Sequence, residues 1–266
     1  MDITSTTSTN TRRSFLKKIT FAGVGLTSGL SPISLASENA FRHIPPKKGL
    51  VILFQGDSIT DGNRGRNDDP NHIMGHGYAF SIASRVGADF PDKNMLFFNR
   101  GISGNTVADL ALRWQTDTLD LKPDVLSILI GINDSYAAIG QKPGITIDKF
   151  ESTYRMLLTQ TKEKFPDVIF VLCSPFVLPL KKVKEQWTRW HEDVQARQKV
   201  VEKLANEYQA VLVNFQPVFD QAVKRAPLDY WIWDGIHPTV PGHELMAREW
   251  IRQVSQKLTF LKKYEK

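Results

Sequence analysis

Five short apolar runs punctuate the chain, at Leu50 to Phe54, Met95 to Phe98, Val125 to Ile130, Val168 to Leu172 and Ala210 to Val213. Each ends in a turn residue or a polar cluster and none alternates strictly, the pattern of strands buried on both faces. Between them the apolar positions take helical spacing. Val107, Leu110, Leu112 and Trp114 form one set, and Phe150, Tyr154, Leu157, Leu158 and Thr161 a second. Val194, Val200, Val201, Leu204 and Tyr208 form a third, and Leu245, Trp250, Ile251 and Val254 a last one. Strand and helix in repeated alternation predict an α/β fold, a three-layer α/β/α sandwich around a parallel sheet of about five strands. No internal repeat or second-domain linker interrupts the pattern, so residues 49–266 are expected to form one domain.

The first forty residues have a different character. Thr11-Arg12-Arg13-Ser14-Phe15-Leu16-Lys17-Lys18 precedes a mildly apolar stretch from Ile19 to Leu35. Paired arginines before such a stretch, rich in Gly, Ser and Thr, resemble a twin-arginine export signal. A Sec signal that happens to contain Arg-Arg, or an uncleaved anchor, would carry the same residues. Ser34-Leu35-Ala36 supplies small residues for cleavage near Ala36, which would leave 230 of the 266 residues. Residues 1–36 are thus expected to be an export signal read by the twin-arginine machinery, and 37–48 a polar leader. The expected location is periplasmic or extracellular, without stable membrane insertion after processing. Gly23-Val24-Gly25 faintly resembles a dinucleotide loop, but no strand precedes it.

Composition narrows the function classes. The chain is 41% hydrophobic and 23% charged, enough for one substantial core. Four basic residues against Asp2 within residues 1–36 account for half of the formal charge of +6. The remaining +3, with no basic run interleaved with aromatics, speaks against nucleic-acid binding. Cys173 is the only cysteine, so no intramolecular disulfide, redox pair or thiolate zinc site can form. Its place in an apolar run marks it as a small buried hydrophobe.

In an open parallel sheet, ligands sit beyond the carboxyl ends of the strands. The polar residues just after each apolar run are therefore the candidates for chemistry. A serine hydroxyl needs a neighbouring base, and acyl transfer needs donors aimed at the developing oxyanion. Ser58 lies in Gly56-Asp57-Ser58-Ile59-Thr60-Asp61 directly after the first run, without the Gly-x-Ser-x-Gly of an α/β-hydrolase elbow. Asn99 to Thr106, Gly131-Ile132-Asn133-Asp134 and Asp234-Gly235-Ile236-His237 follow in the corresponding loops.

These four motifs, in this order, resemble those of the SGNH (GDSL-type) hydrolases, among them exported bacterial esterases and carbohydrate acetylesterases. The resemblance implies a flavodoxin-like fold and an esterase working through an acyl-enzyme. It assigns Ser58 as nucleophile, His237 as base and Asp234 as the group that orients the histidine. It assigns the backbone N–H groups of Ser58 and Gly104 and the amide of Asn133 to the oxyanion; Gly104 matches better than Gly101. No metal or other cofactor is expected.

Removal of acetyl groups from carbohydrate is the first expectation for the reaction, so the partner would be a small or polysaccharide ester. A lysophospholipase or thioesterase acting on longer acyl chains is the alternative, and a non-catalytic glycan-binding protein the third. Asp57, Trp231 and Trp233 are candidate substrate contacts, although Asp57 and Asp134 also suit loop-organising acceptors and the tryptophans could close the core.

Several residues carry blander expectations. Thr106-Val107-Ala108-Asp109 reads as a helix capping box. His72 and His76, near Asp68 and Asp69, are expected in a surface or substrate loop rather than at a metal, because the Gly-, Asn- and Pro-rich segment from Gly62 to Gly77 disfavours a helix. His243 is expected to pack or cap at the start of the last helix, and His191 to be solvated.

Overall fold

The computed structural model describes residues 49–67, 69–142 and 145–265. The expected export signal and leader, and Asp68, lie outside the described residues. In chain order the elements are β1 (Val51–Gly56), α1 (Ser58–Asp61), α2 (Tyr78–Asp89), β2 (Leu96–Asn99), α3 (Val107–Asp117), β3 (Val125–Leu129), α4 (Ile132–Ile139) and α5 (Ile147–Lys164). There follow β4 (Ile169–Ser174), α6 (Lys181–Glu185), α7 (Trp187–Glu207), β5 (Val211–Asn214), α8 (Gln216–Ala222), α9 (Leu228–Trp231) and α10 (Val240–Val254).

All four strand pairings are parallel, and the sheet order is β2-β1-β3-β4-β5. Alternate residues along each strand feed opposite layers, as the pleat requires. Ile52, Phe54, Val125, Leu129, Val171 and Cys173 pack with α2, α8 and α10. Leu53, Leu126, Ile128, Phe170 and Leu172 pack with α3, α5 and α7. The expected three-layer α/β/α sandwich around a five-stranded parallel sheet is the fold observed, in the flavodoxin-like order.

One polar position interrupts the apolar strands. Ser127, in the middle of β3, is fully buried and accepts a hydrogen bond from Trp250 Nε1 of α10 at 2.9 Å. Its partner Cys173, 3.7 Å away, is also fully buried, and burial pushes the thiol up to about 12. It is a core residue, not a nucleophile.

Two details depart from the sequence pattern. β2 is an edge strand whose Leu96 is 53% exposed, so it is not buried on both faces. Leu112 is 88% exposed, because two residues from Leu110 is roughly 200° around the helix, away from the stripe of Val107, Leu110 and Trp114. Among the described residues no helix is long and apolar enough to cross a membrane.

Candidate active site

The order of the strands reverses between β1 and β3, and both of these central strands deliver polar residues at their carboxyl ends. Gly56 leaves β1 and Asp57 caps α1, its carboxylate accepting from the Ile59 N–H at 3.0 Å. Ser58 is therefore the first residue of a helix, a position whose N–H has no intrahelical acceptor. Gly131 ends the β3 segment and turns directly into α4, which carries Asn133 in its first turn.

The late loop reaches the same edge. Ile232 and Pro238 form an isolated antiparallel bridge, and the Trp233 N–H donates to the His237 carbonyl at 3.1 Å. Asp234 Oδ1 accepts from the backbone N–H groups of Ile236 at 2.9 Å and His237 at 2.8 Å, which folds the loop into a tight turn. Gly235 sits in that turn at φ +100°, and a Cβ there would lie 2.7 Å from the Leu178 carbonyl oxygen, so only glycine fits.

The side chains meet in a row. Ser58 Oγ lies 2.8 Å from His237 Nε2, and His237 Nδ1 lies 2.7 Å from Asp234 Oδ2, although 179 positions separate serine from histidine. Burial would raise the Asp234 carboxyl, but hydrogen bonds from the His237 ring and the loop backbone outweigh it and hold the group below the ordinary carboxylate range. An ionised Asp234 only accepts, so Nδ1 carries the ring proton and Nε2 is left to accept from the serine hydroxyl. The Asp234 contact in turn raises the His237 pKa above its ordinary value, against the opposing effect of partial burial.

Two further candidate donors lie on the segment after β2 and at the head of α4. Gly104 takes φ +85° on the loop after β2, and its N–H pairs with no acceptor among the described residues. Asn133 Nδ2 donates to the Asn105 carbonyl at 3.1 Å, which uses one of its two hydrogens. Thr106 and Asp109 form the expected capping box at the start of α3. Asp134 accepts from the Val107 N–H at 3.2 and 3.3 Å, and so ties α4 to the head of α3. Burial pushes its carboxyl up to about 6.

The three candidate contacts separate. Asp57 has no exposed surface, so in this conformation it lies beneath the site and cannot touch a substrate on Ser58. Burial pushes its carboxyl up to about 7, and its Oδ2 has no partner among the described residues. Trp231 is buried under the loop and closes the core. Trp233 is 53% exposed, its ring 6.1 Å from that of His237, with Lys181 Nζ 4.7 Å from its centroid.

The other histidines stand apart. His72 bonds Asp69 at 2.7 Å in an exposed loop, and no group of three or more potential metal ligands occurs among the described residues. His191 is half-buried, its ring 4.9 Å from that of Trp187 and its Nε2 3.2 Å from Gln195 Nε2. His243 is buried in the first turn of α10, where its Nδ1 accepts from the Tyr78 N–H at 3.1 Å. Burial lowers its pKa to about 4, which keeps it neutral in that role.

Motif reading assigned no role to several residues that hold these loops. Asn99, at the end of β2, donates to the carbonyls of Thr60 at 2.7 Å and Met74 at 2.9 Å, and accepts from the Gly101 N–H at 2.9 Å. Arg113 of α3 donates to the Asn105 side chain at 2.8 Å and to the Arg100 carbonyl at 2.8 Å. Their partners are mostly main-chain groups of distant loops, so pairwise spacing carries no trace of them.

Residues 54–245 match the model of the GDSL-like lipase/acylhydrolase family. An acetylxylan esterase of Geobacillus stearothermophilus is 33% identical over 218 residues, which cover 77% of this chain and 94% of that protein. A crystal structure of an acetylxylan esterase from the same organism superposes with a TM-score of 0.69 at 32% identity, over 79% of this chain and 95% of the other. A protein of Parabacteroides merdae described as a GDSL-like lipase superposes with a TM-score of 0.75 at 42% identity, over 79% of this chain and 97% of the other.

Proposed function

The chain belongs to the GDSL-like lipase/acylhydrolase family and is a carboxylic ester hydrolase, and from that premise we propose that it removes acetyl groups from carbohydrate through an acyl-enzyme on Ser58. The observation that carries this reading is the unbroken row from Ser58 Oγ through the His237 imidazole to the Asp234 carboxylate, with contacts of 2.8 and 2.7 Å. His237 takes the serine proton as Oγ attacks the ester carbonyl, then passes it to the leaving sugar hydroxyl. Asp234 holds the tautomer that leaves Nε2 free to accept. The N–H groups of Ser58 and Gly104 and the second amide hydrogen of Asn133 receive the negative charge on the carbonyl oxygen. Water, deprotonated by the same imidazole, then releases acetate and restores the serine.

The acetyl and sugar parts of the proposal rest on the acetylxylan esterase relative and on the exposed Trp233 ring beside His237. An exposed aromatic ring at that place can stack on the apolar face of a pyranose. An extracytoplasmic polysaccharide also suits the twin-arginine segment at Arg12 and Arg13, and we assign the enzyme to the periplasm or the exterior on that ground.

Acetate release from acetylated xylan, pectin and simple sugars, measured beside hydrolysis of acetyl, octanoyl and longer p-nitrophenyl esters, tests the substrate. The expected result is release of acetate from at least one glycan and a rate that falls as the acyl chain lengthens. Faster cleavage of the long esters would overturn the acetyl assignment in favour of a lysophospholipase or thioesterase type. Glycan binding with no ester cleavage would overturn the catalytic reading.

A further inference from the structure

Gly104, the exposed glycine assigned to the oxyanion, has no packing of its own. A Cβ built on it would meet no atom of the described residues within 4 Å beyond its two chain neighbours. The direction of its N–H must therefore be set by its neighbours. Ser103, immediately before it, gives both its N–H and its Oγ–H to Asp61 Oδ2, each at 3.0 Å.

Asp61 ends α1, one helical turn after Ser58. Its side chain is only 3% exposed and its remaining acceptor sites are filled from the 62–77 loop. Arg66 donates in bidentate fashion, to Oδ2 at 2.7 Å and to Oδ1 at 3.0 Å, and the Arg64 N–H donates to Oδ1 at 3.1 Å. Burial would raise the Asp61 carboxyl, but the Arg66 and Ser103 hydrogen bonds keep it below the ordinary carboxylate range, and so ionised. Arg64 adds a second tie through its Nε to the Gly101 carbonyl at 3.0 Å. One carboxylate thus joins the serine helix, the following loop and the glycine loop. The guanidinium of Arg66 neutralises a charge that would otherwise repel the oxyanion nearby.

We propose that Asp61, held by Arg66, is a positioning residue for the ester hydrolysis, fixing the Ser103–Gly104 backbone so that the Gly104 N–H points at the oxyanion formed beside Ser58. It acts through the backbone and does not touch substrate. The inference rests on the serine-esterase reading and extends it to residues outside the four motifs.

Asp61→Asn keeps the size but replaces one acceptor oxygen by a donor, so Ser103 and Arg66 can no longer share the group. The predicted result on p-nitrophenyl acetate is a fall in kcat of about 10- to 100-fold, the range for a displaced oxyanion donor. KM and the midpoint of the acid limb stay unchanged, because the His237–Asp234 pair is untouched. Affinity for phenylboronic acid, whose adduct on Ser58 mimics the tetrahedral state, falls by a similar factor. Arg66→Gln gives a smaller loss of about 3- to 10-fold, Ser103→Ala likewise, and Arg66→Lys recovers most of it.

A kcat within twofold of the parent in Asp61→Asn overturns the proposal. So does an Arg66→Lys variant no better than Arg66→Gln, with each variant's fold checked by circular dichroism. If Asp61→Asn does not fold, unchanged kcat in both Ser103→Ala and Arg66→Gln overturns it equally. The outcome is separable from the parent reading: activity persisting in Ser58→Ala would end that reading, whereas an inactive Ser58→Ala beside a normal Asp61→Asn would end this one alone.

Discussion

At the residue scale the account turns on protons. In the proposed mechanism His237 acts as base only when neutral, and the Asp234 carboxylate raises its pKa above the ordinary histidine value. The acid limb of kcat/KM should therefore fall as pH drops through a midpoint above ~6.5. An unperturbed imidazole would set that midpoint near pH ~6.5, and the Asp234 contact moves it upward. Asp234→Asn should lower kcat roughly 10³- to 10⁴-fold, because an amide no longer enforces the tautomer. Steady-state rates from pH 4 to 9 on both proteins check this, and a flat limb down to pH ~4 in the parent would require another base.

Asp57 titrates for a different reason. Burial raises its carboxyl from 3.8 to about 7, so folding favours the protonated form. The sign follows from linkage: its contribution to stability is complete below pH 3.8 and is lost as pH rises through about 7. Asp57→Asn carries no such ionisation. Its melting temperature relative to the parent should climb between pH ~4 and ~7 and level off above, as differential scanning calorimetry can read. A constant difference across that range would mean that Asp57 is already ionised in the fold throughout it.

Single turns decide whether the elements deliver their side chains. Gly235→Ala would force a Cβ against the Leu178 and Leu180 carbonyls at φ +100°. The loss should be about 1–3 kcal/mol of stability, with activity falling further because the turn sets the His237 ring. Thermal unfolding and kcat measured together test this, and an alanine variant with parental values of both would contradict it. Removing the helix cap in Thr106→Ala should cost about 1 kcal/mol in chemical denaturation.

The elements also show what a sequence can carry. Runs such as Val168 to Leu172 were legible because a strand covered on both faces needs no polar residue within it. The α5 stripe of Phe150, Tyr154, Leu157, Leu158 and Thr161 was legible by its period, and every member is buried. α2 was missed: it buries Tyr78, Ala79, Ile82 and Val86 and is anchored by a distant histidine rather than by a side-chain cap. Ser58, Asn133 and His237 could be picked out because each lies in a short motif after a strand or in the last loop. Asp61, Asn99 and Arg113 could not, because their partners lie across loops that only folding brings together.

Across the whole molecule, the order β2-β1-β3-β4-β5 makes the site. The reversal between β1 and β3, which pair as far as Gly56 and Leu129, opens a crevice at the sheet edge from which α1 and α4 start. The last loop then needs only to lie across that crevice to complete the row. The most direct measurement of the central claim is covalent labelling with a fluorophosphonate, located by mass spectrometry while acetate release is followed. The account predicts one label per chain, on Ser58, with activity lost in proportion and no label on Ser58→Ala or on an enzyme crowded with acetylated substrate. Label on another residue, or full acetate release by Ser58→Ala, would contradict it.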